Sequence, residues 1–352
     1  MSAAGRVTND PTNYFAIAQQ SAKDVDGTVF YFTKHLSGTG FDVAVDQSSE
    51  REGGAGREVS LRYRTKVTAD GSFIAYARPD FAGRVLALAL FQDTVTAGPS
   101  TVPSGPYYST HSIFSGASVP LYFTAEQAWA DMVERTGNCV ISSLKFEGDA
   151  GKPVKMTTAF MSGGTPHSLA GAQTAVREAA FPFMYPGASA NIIFQGSGVG
   201  LGQASSTQLT KWSLEIKNAL DGNIQTNALN REDMLLLTSD YDIDATIKYI
   251  NSAIWEQIDY GGGSTVPTGL ITSGNFTFYS PEAGTRGGQN DLSSLTLFAP
   301  FIEFPSVKVN RLDPDGKTMY LDVVASTRNI GTSSLQATIV SPASTSYAVS
   351  TT

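Results

Sequence analysis

Strict two-residue alternation over long stretches restricts this 352-residue chain more than any other feature. Starting at Glu58, the residues Val59, Leu61, Tyr63, Thr65 and Val67 fall on one face; Glu58, Ser60, Arg62, Arg64 and Lys66 fall on the other. A second run near Ser239–Tyr249 sets Tyr241, Ile243, Ala245, Ile247 and Tyr249 against Asp240, Asp242, Asp244, Thr246 and Lys248. Successive side chains of a strand point to opposite faces, so both runs read as long, half-buried strands.

The neighbours of the two runs match in kind. Phe41–Val45 reads as a strand and is followed by the polar, glycine-rich loop Asp46–Arg57. Thr210–Lys217 alternates Trp212, Leu214 and Ile216 with polar residues, and the loop Asn218–Asp233 follows. Each long strand precedes a helix candidate, Asp80–Phe91 in the first half and Ser252–Ile258 in the second. Each half then closes on two strands about a Gly/Asp turn. These are Val140–Phe160 around Gly148–Lys152, and Val307–Ala325 around Asp313–Lys317. The shared order predicts a mainly β protein built by internal duplication, with modules at 1–170 and 171–352 and a boundary within Ser162–Ala180. One segment breaks the pattern. Thr124 and Gln127 have capping-box spacing, and Ala125, Ala128, Trp129, Met132 and Val133 follow at helical intervals, which predicts a helix over Ala125–Arg135. The Ser/Thr-rich Ser341–Thr352 reads as a mobile tail or a hook onto a neighbouring copy.

Composition excludes several function classes. The net charge is −8, from 24 basic and 32 acidic residues, which argues against gripping nucleic-acid phosphates. Only 16% of residues are charged, which suits a surface partly covered by partners. No signal peptide is apparent, and the longest apolar run, Val85–Phe91, is far short of a span, so no membrane insertion is expected. Cys139 is the single cysteine and reads as a buried structural thiol. His35, His111 and His167 lack metal-ligand spacing. Asp240, Asp242 and Asp244 open like a calcium loop, but Ala245 and Asn251 stand where glycine and glutamate are required. Gly196, Gly198, Gly200 and Gly202 lack the residues of a phosphate loop. Neither a catalytic constellation nor a cofactor site emerges, so the chain is not expected to be an enzyme. Trp129, Trp212 and Trp255 lie in amphipathic patterns that would bury them, which disfavours a carbohydrate-binding β-sandwich.

Several segments resemble the two-module tail tube family of siphophages. In the first half they are Arg51–Arg57, Glu58–Lys66, Phe81–Phe91 and Gly137–Phe146. In the second they are Phe181–Phe194, Leu214–Leu220, Ser239–Tyr249 and Phe301–Ala325. The resemblance implies β-sandwich or open-barrel modules, each with a flanking helix, that join edge to edge into an intermolecular β-barrel. Three two-module copies would form a pseudo-hexameric ring, and stacked rings would form the conduit for DNA ejection. It further implies a virion location after a cytoplasmic stage in the host, with a tape measure protein and tail terminator or tip proteins as partners and phage DNA in transient passage. On this reading Glu58, Arg62, Arg64, Lys66, Asp240, Asp242, Asp244 and Lys248 line the lumen. Glu50, Arg51, Glu52, Arg57, Asp221, Asn223, Asn227 and Arg231 lie in ring-stacking loops. The competing readings are another virion or surface protein, such as a capsid decoration or an adhesin, a carbohydrate-binding module, and a hydrolase.

Overall fold

The computed structural model describes residues 13–50, 61–97, 108–129, 132–149, 152–169, 175–178, 180–185, 190–195, 209–224, 231–248, 271–279, 293–310, 320–327 and 333–348. Through residue 177 its strands are β1 Tyr14–Gln19, β2 Phe30–Phe32, β3 Gly40–Phe41, β4 Ala44–Glu50, β5 Leu61–Thr68, β6 Gly71–Tyr76, β7 Thr94–Ala97, β8 Ser109–Phe114, β9 Phe123–Trp129, β10 Met132–Asp149, β11 Lys152–Pro153, β12 Lys155–Ser162, β13 His167–Leu169 and β14 Ala175–Arg177. The remainder are β15 Met184–Tyr185, β16 Ala190–Gln195, β17 Leu209–Ile224, β18 Arg231–Lys248, β19 Ile271–Tyr279, β20 Ser294–Asn310, β21 Tyr320–Thr327 and β22 Gln336–Ser341. The helix α1, Pro79–Leu90, lies between β6 and β7.

Hydrogen-bonded pairing repeats between the halves. In the first half it runs β1–β9–β10–β12–β6; β3 pairs β6, and β4 pairs β5 in the same register. In the second it runs β16–β19–β20–β21–β18–β17. The irregularities recur as well. Asp46 faces Lys66 and Gln47 faces Arg64, while Ala219 faces Thr238 and Leu220 faces Leu236. Between Thr136 and Cys139 the β9–β10 register slips, and between Ala299 and Ile302 the β19–β20 register does the same. A third pair of slips lies at Ile141/Ser143 and Glu303/Ser306. A bulge adds one residue at a defined place and bends its strand, so three in matching positions are far more specific than strand order alone.

The halves meet in one sheet. β17 pairs with β10 from Ser143↔Lys217 to Asp149↔Lys211. Traced pair by pair, the ladder never returns to its starting strand among the described residues, so within one chain the sheet is open. One face of this sheet is core. Leu144, Phe146, Met156 and Phe160 join Leu214, Ile216, Ile243 and Ala325 in a single buried cluster with Phe81, Val85, Leu86 and Leu88 of α1.

The helix matches its sequence prediction. Pro79 starts it, with the fixed φ that the first helical turn favours, and Phe91 ends it in the left-handed region at φ 65. Its N-cap Arg78 makes no side-chain cap; the Glu178 carboxylate accepts from the Asp80 and Phe81 amides at 2.9 and 2.8 Å instead. Gly83 admits the Tyr347 ring, because a Cβ there would lie 2.2 Å from Cε2. Tyr347 is thereby buried, donates to Asp80 and stacks on His111 at 3.9 Å, so the described part of the tail docks on its own chain.

The predicted helix over Ala125–Arg135 is absent. The segment forms β9 and the start of β10, a hairpin flanked by β1. Its helical spacing is outweighed by strand pairing on both sides of β9 and by a buried network. There Arg135 donates to Glu126 at 2.6 Å, and the Tyr14 hydroxyl donates to the same carboxylate at 2.5 Å. Trp129 at the end of β9 is 44% exposed rather than buried, whereas Trp212 is buried as expected. Ser252–Ile258 and Trp255 lie outside the described residues.

Candidate functional site: a polar sheet face and two ribbons

Alternation leaves the face opposite the core polar. Across one row, Lys155 of β12, Glu147 of β10, Ser213 of β17 and Asp244 of β18 stand in register. The next row carries Thr157, Lys145, Glu215 and Asp242, and a third carries Ser143, Lys217 and Asp240. Cross-strand neighbours on one face are close enough to pair charges. Lys217 donates to Asp242 at 2.7 Å, while Glu147 accepts from Lys145 at 2.9 Å and from Lys155 at 3.2 Å. Burial alone would raise the Glu147 carboxyl, but the two lysines bring it below its usual range. The hydrogen bond to Asp242 raises the Lys217 ammonium. Glu147 and Lys217 are thereby each held in the charged form.

Two hairpin ribbons extend this arrangement, and their environments differ. The ribbon β17–β18 is seated on the first half. Met234 is buried, and the Asn218 amide donates to the carbonyls of Ala89 and Ile141 at 2.9 and 3.1 Å. Arg231, whose side chain is 8% exposed, bonds Asp70 through Nη2 at 2.8 Å and the Ser162 carbonyl at 3.3 Å. Strands β4 and β5 form a two-stranded sheet of their own; Val45, Leu61 and Tyr63 in it, and Val43 just before it, are each 40% exposed or more.

The predicted site residues distribute as follows. Asp240, Asp242 and Asp244 lie together on the polar face. Arg62 and Arg64 are exposed on β5, with Lys66 half-buried. The bulge between Lys66 and Arg64 interrupts the alternation expected there. Lys248 ends β18. Glu50 ends β4, and Asp221 and Asn223 belong to β17, so the expected loops Asp46–Arg57 and Asn218–Asp233 begin as strand. Arg231 is likewise no loop residue: it opens β18 and is held by Asp70. Arg51, Glu52, Arg57, Glu58 and Asn227 lie outside the described residues. Lys145, Glu147, Lys155, Glu215 and Lys217 join the face unpredicted, although their alternation with apolar residues was visible; only tertiary pairing places them beside the aspartates. Cys139 is fully buried, and burial pushes its thiol far up. Among the described residues no cluster of three potential metal ligands occurs, and no helix is long and apolar enough to cross a membrane.

Comparison with known proteins adds one finding. A family model described as phage tail tube protein matches residues 7–301. No curated protein matches the chain.

Proposed function

The chain belongs to the phage tail tube protein family, a structural part of the virion tail that assembles with itself into a tube, and from that premise we propose that three copies close each ring. The modules are 1–170 and 171–352, and each ring therefore presents six. The observation that carries this reading is the repeated strand order with its three matched bulges. Two equivalent modules in one chain supply a third of a six-module ring without a second gene product, and rotational closure gives a ring of defined size.

The polar face of the shared sheet lines the channel in this reading. Glu147, Asp149, Glu215, Asp240, Asp242, Asp244 and Asp322 stand there against Lys145, Lys155, Lys211 and Lys217, with Lys152 of β11 reaching Asp149 from a separate sheet, seven acids against five bases. Lys145, Lys152, Lys155 and Lys217 are each paired with an acid, which leaves DNA fewer free cations on this face to neutralise its phosphates and favours sliding. Arg62, Arg64 and Lys66 of β5, Lys248 at the end of β18, and Glu58 complete the proposed lining. Glu50, Arg51, Glu52 and Arg57, with Asp221, Asn223 and Asn227, meet the next ring, whereas Arg231 is already engaged within the chain. A tape measure protein fills the channel before DNA, terminator and tip proteins close the ends, and the subunit waits in the host cytoplasm. The role is structural, with no catalysis and no cofactor.

Cryo-electron microscopy of the purified, concentrated chain tests this. Expected are tubes of even diameter with threefold rings. Rings of six copies, or a protein that stays monomeric even with tail tip complexes added as initiators, would overturn it.

A further inference from the structure

We infer that the outer edge of β3–β4 in one copy pairs with the C-terminal part of β20 in the next copy, in the register that β17 and β10 use inside the chain. This rests on the ring reading above and specifies its subunit contact. The matched bulges allow one half to be laid on the other residue by residue. Asp46 and Gln47 map onto Ala219 and Leu220, which carries Ala44 onto Lys217. Thr136 and Cys139 map onto Ala299 and Ile302, which carries Ser143 onto Ser306. Within the chain, Ser143 stands opposite Lys217. The equivalent contact between copies therefore sets Ser306 opposite Ala44 and continues to Asn310 opposite Gly40.

Neither edge has a strand partner among the described residues, and at Phe41 a side chain, Gln127, covers the β3 edge. β9 leaves β10 at Cys139, which frees the stretch that β17 then occupies. β19 leaves β20 at Glu303 in the same way, and among the described residues no strand takes the place beyond it. On the other edge, Val43 is 43% exposed, whereas its counterpart Ile216 is fully buried against the first half. An edge strand of this kind presents unpaired backbone groups and is a template for another chain.

Gln127 supports the assignment. Its carboxamide accepts from the Phe41 N–H and donates to the Phe41 carbonyl, each at 2.9 Å. Phe41 maps onto Leu214, which stands opposite Phe146 in the β10–β17 ladder. A side-chain amide thus occupies, in the isolated chain, the place of one peptide group of an incoming strand. It swings aside as the neighbour docks, and the ladder grows from Val43 toward Gly40. The contact joins unlike surfaces, so repetition either closes a ring or runs on as a helix.

Cysteine pairing tests the register. Chains carrying Ala44→Cys are mixed with chains carrying Ser306→Cys, assembled and oxidised. Directly opposed residues place their Cβ atoms about 4.5–5.5 Å apart, near disulfide distance, whereas a shift of two residues does not. Disulfide-linked dimers are expected with Ser306→Cys and not with Lys308→Cys, and Cys139 is too buried to compete. Hydrogen exchange on the unmodified chain gives a second readout: the outward-facing amides of Val43, Val307 and Val309 should gain protection on assembly. Tubes that form without the cross-link and without that protection would overturn this contact and leave the ring reading intact. An unmodified chain that forms no rings would overturn both.

Discussion

Removing Asp70 tests whether the ribbon β17–β18 is held on the first half by one ion pair. The Asp70 carboxylate accepts two bonds from Arg231 and one from the Ser162 amide at 3.0 Å. After Asp70→Ala the guanidinium, 8% exposed, keeps only the Ser162 carbonyl at 3.3 Å. Truncating one member of a buried pair costs about 3–5 kcal/mol. Asp70 is itself 42% exposed, so solvent screening reduces the loss to about 2 kcal/mol. Urea unfolding followed by far-ultraviolet circular dichroism measures it; with a slope of about 3 kcal/mol per molar, the midpoint falls by about 0.7 M. Hydrogen exchange should show the loss concentrated at residues 231–236. Adding Arg231→Met should restore most of the stability, because no charge is then left buried. A single variant costing under about 0.5 kcal/mol, or a double variant no better than Asp70→Ala, would refute the reasoning.

Three further outcomes are expected. Tyr347→Ala should cost about 3–5 kcal/mol, since it empties the slot over Gly83 and removes the stacking on His111; limited proteolysis should then clip the tail. Glu178 is raised to about 7 by burial and by the nearby Asp80 charge, so the folded chain holds a proton that the unfolded chain releases near its ordinary value of 4.5. Stability from this group is therefore full below about pH 4.5 and falls as pH rises to 7, and Glu178→Gln should flatten that part of a stability–pH profile. Cys139 should resist thiol reagents in the native protein and react at once in denaturant; fast native labelling would contradict its burial.

The helix α1 was legible because proline, apolar spacing and a strong helix-forming run all point the same way. The strand pairs β10–β12 and β20–β21 were legible for a similar reason, since alternation marks the strands and Gly/Asp runs separate them; residues 313–317 themselves lie outside the described residues. Where two local signals conflict, sequence reasoning failed. The helical spacing of Ala125–Arg135 lost to pairing with β1 and β10, which no local pattern reports. The equivalence of the long strands was also displaced. Pairing sets Val67–Tyr76 against Ser239–Lys248, because β5 carries its bulge at the position corresponding to the one in β18, well before the core-facing stretch. Alternation repeats every two residues and so fixes a face without fixing a register.

The amino-acid sequence by itself determined that the protein is mainly β, that long runs of strict alternation recur in both halves, and that its charge disfavours a grip on DNA. These follow from local periodicity and composition, which every residue reports independently. Only the tertiary structure decided that Arg231 is bound to Asp70, that the polar rows of β10, β17 and β18 share one face, and that one ribbon is seated while the other is not. Each of these depends on which strand lies beside which, and that is settled by contacts between residues far apart along the chain.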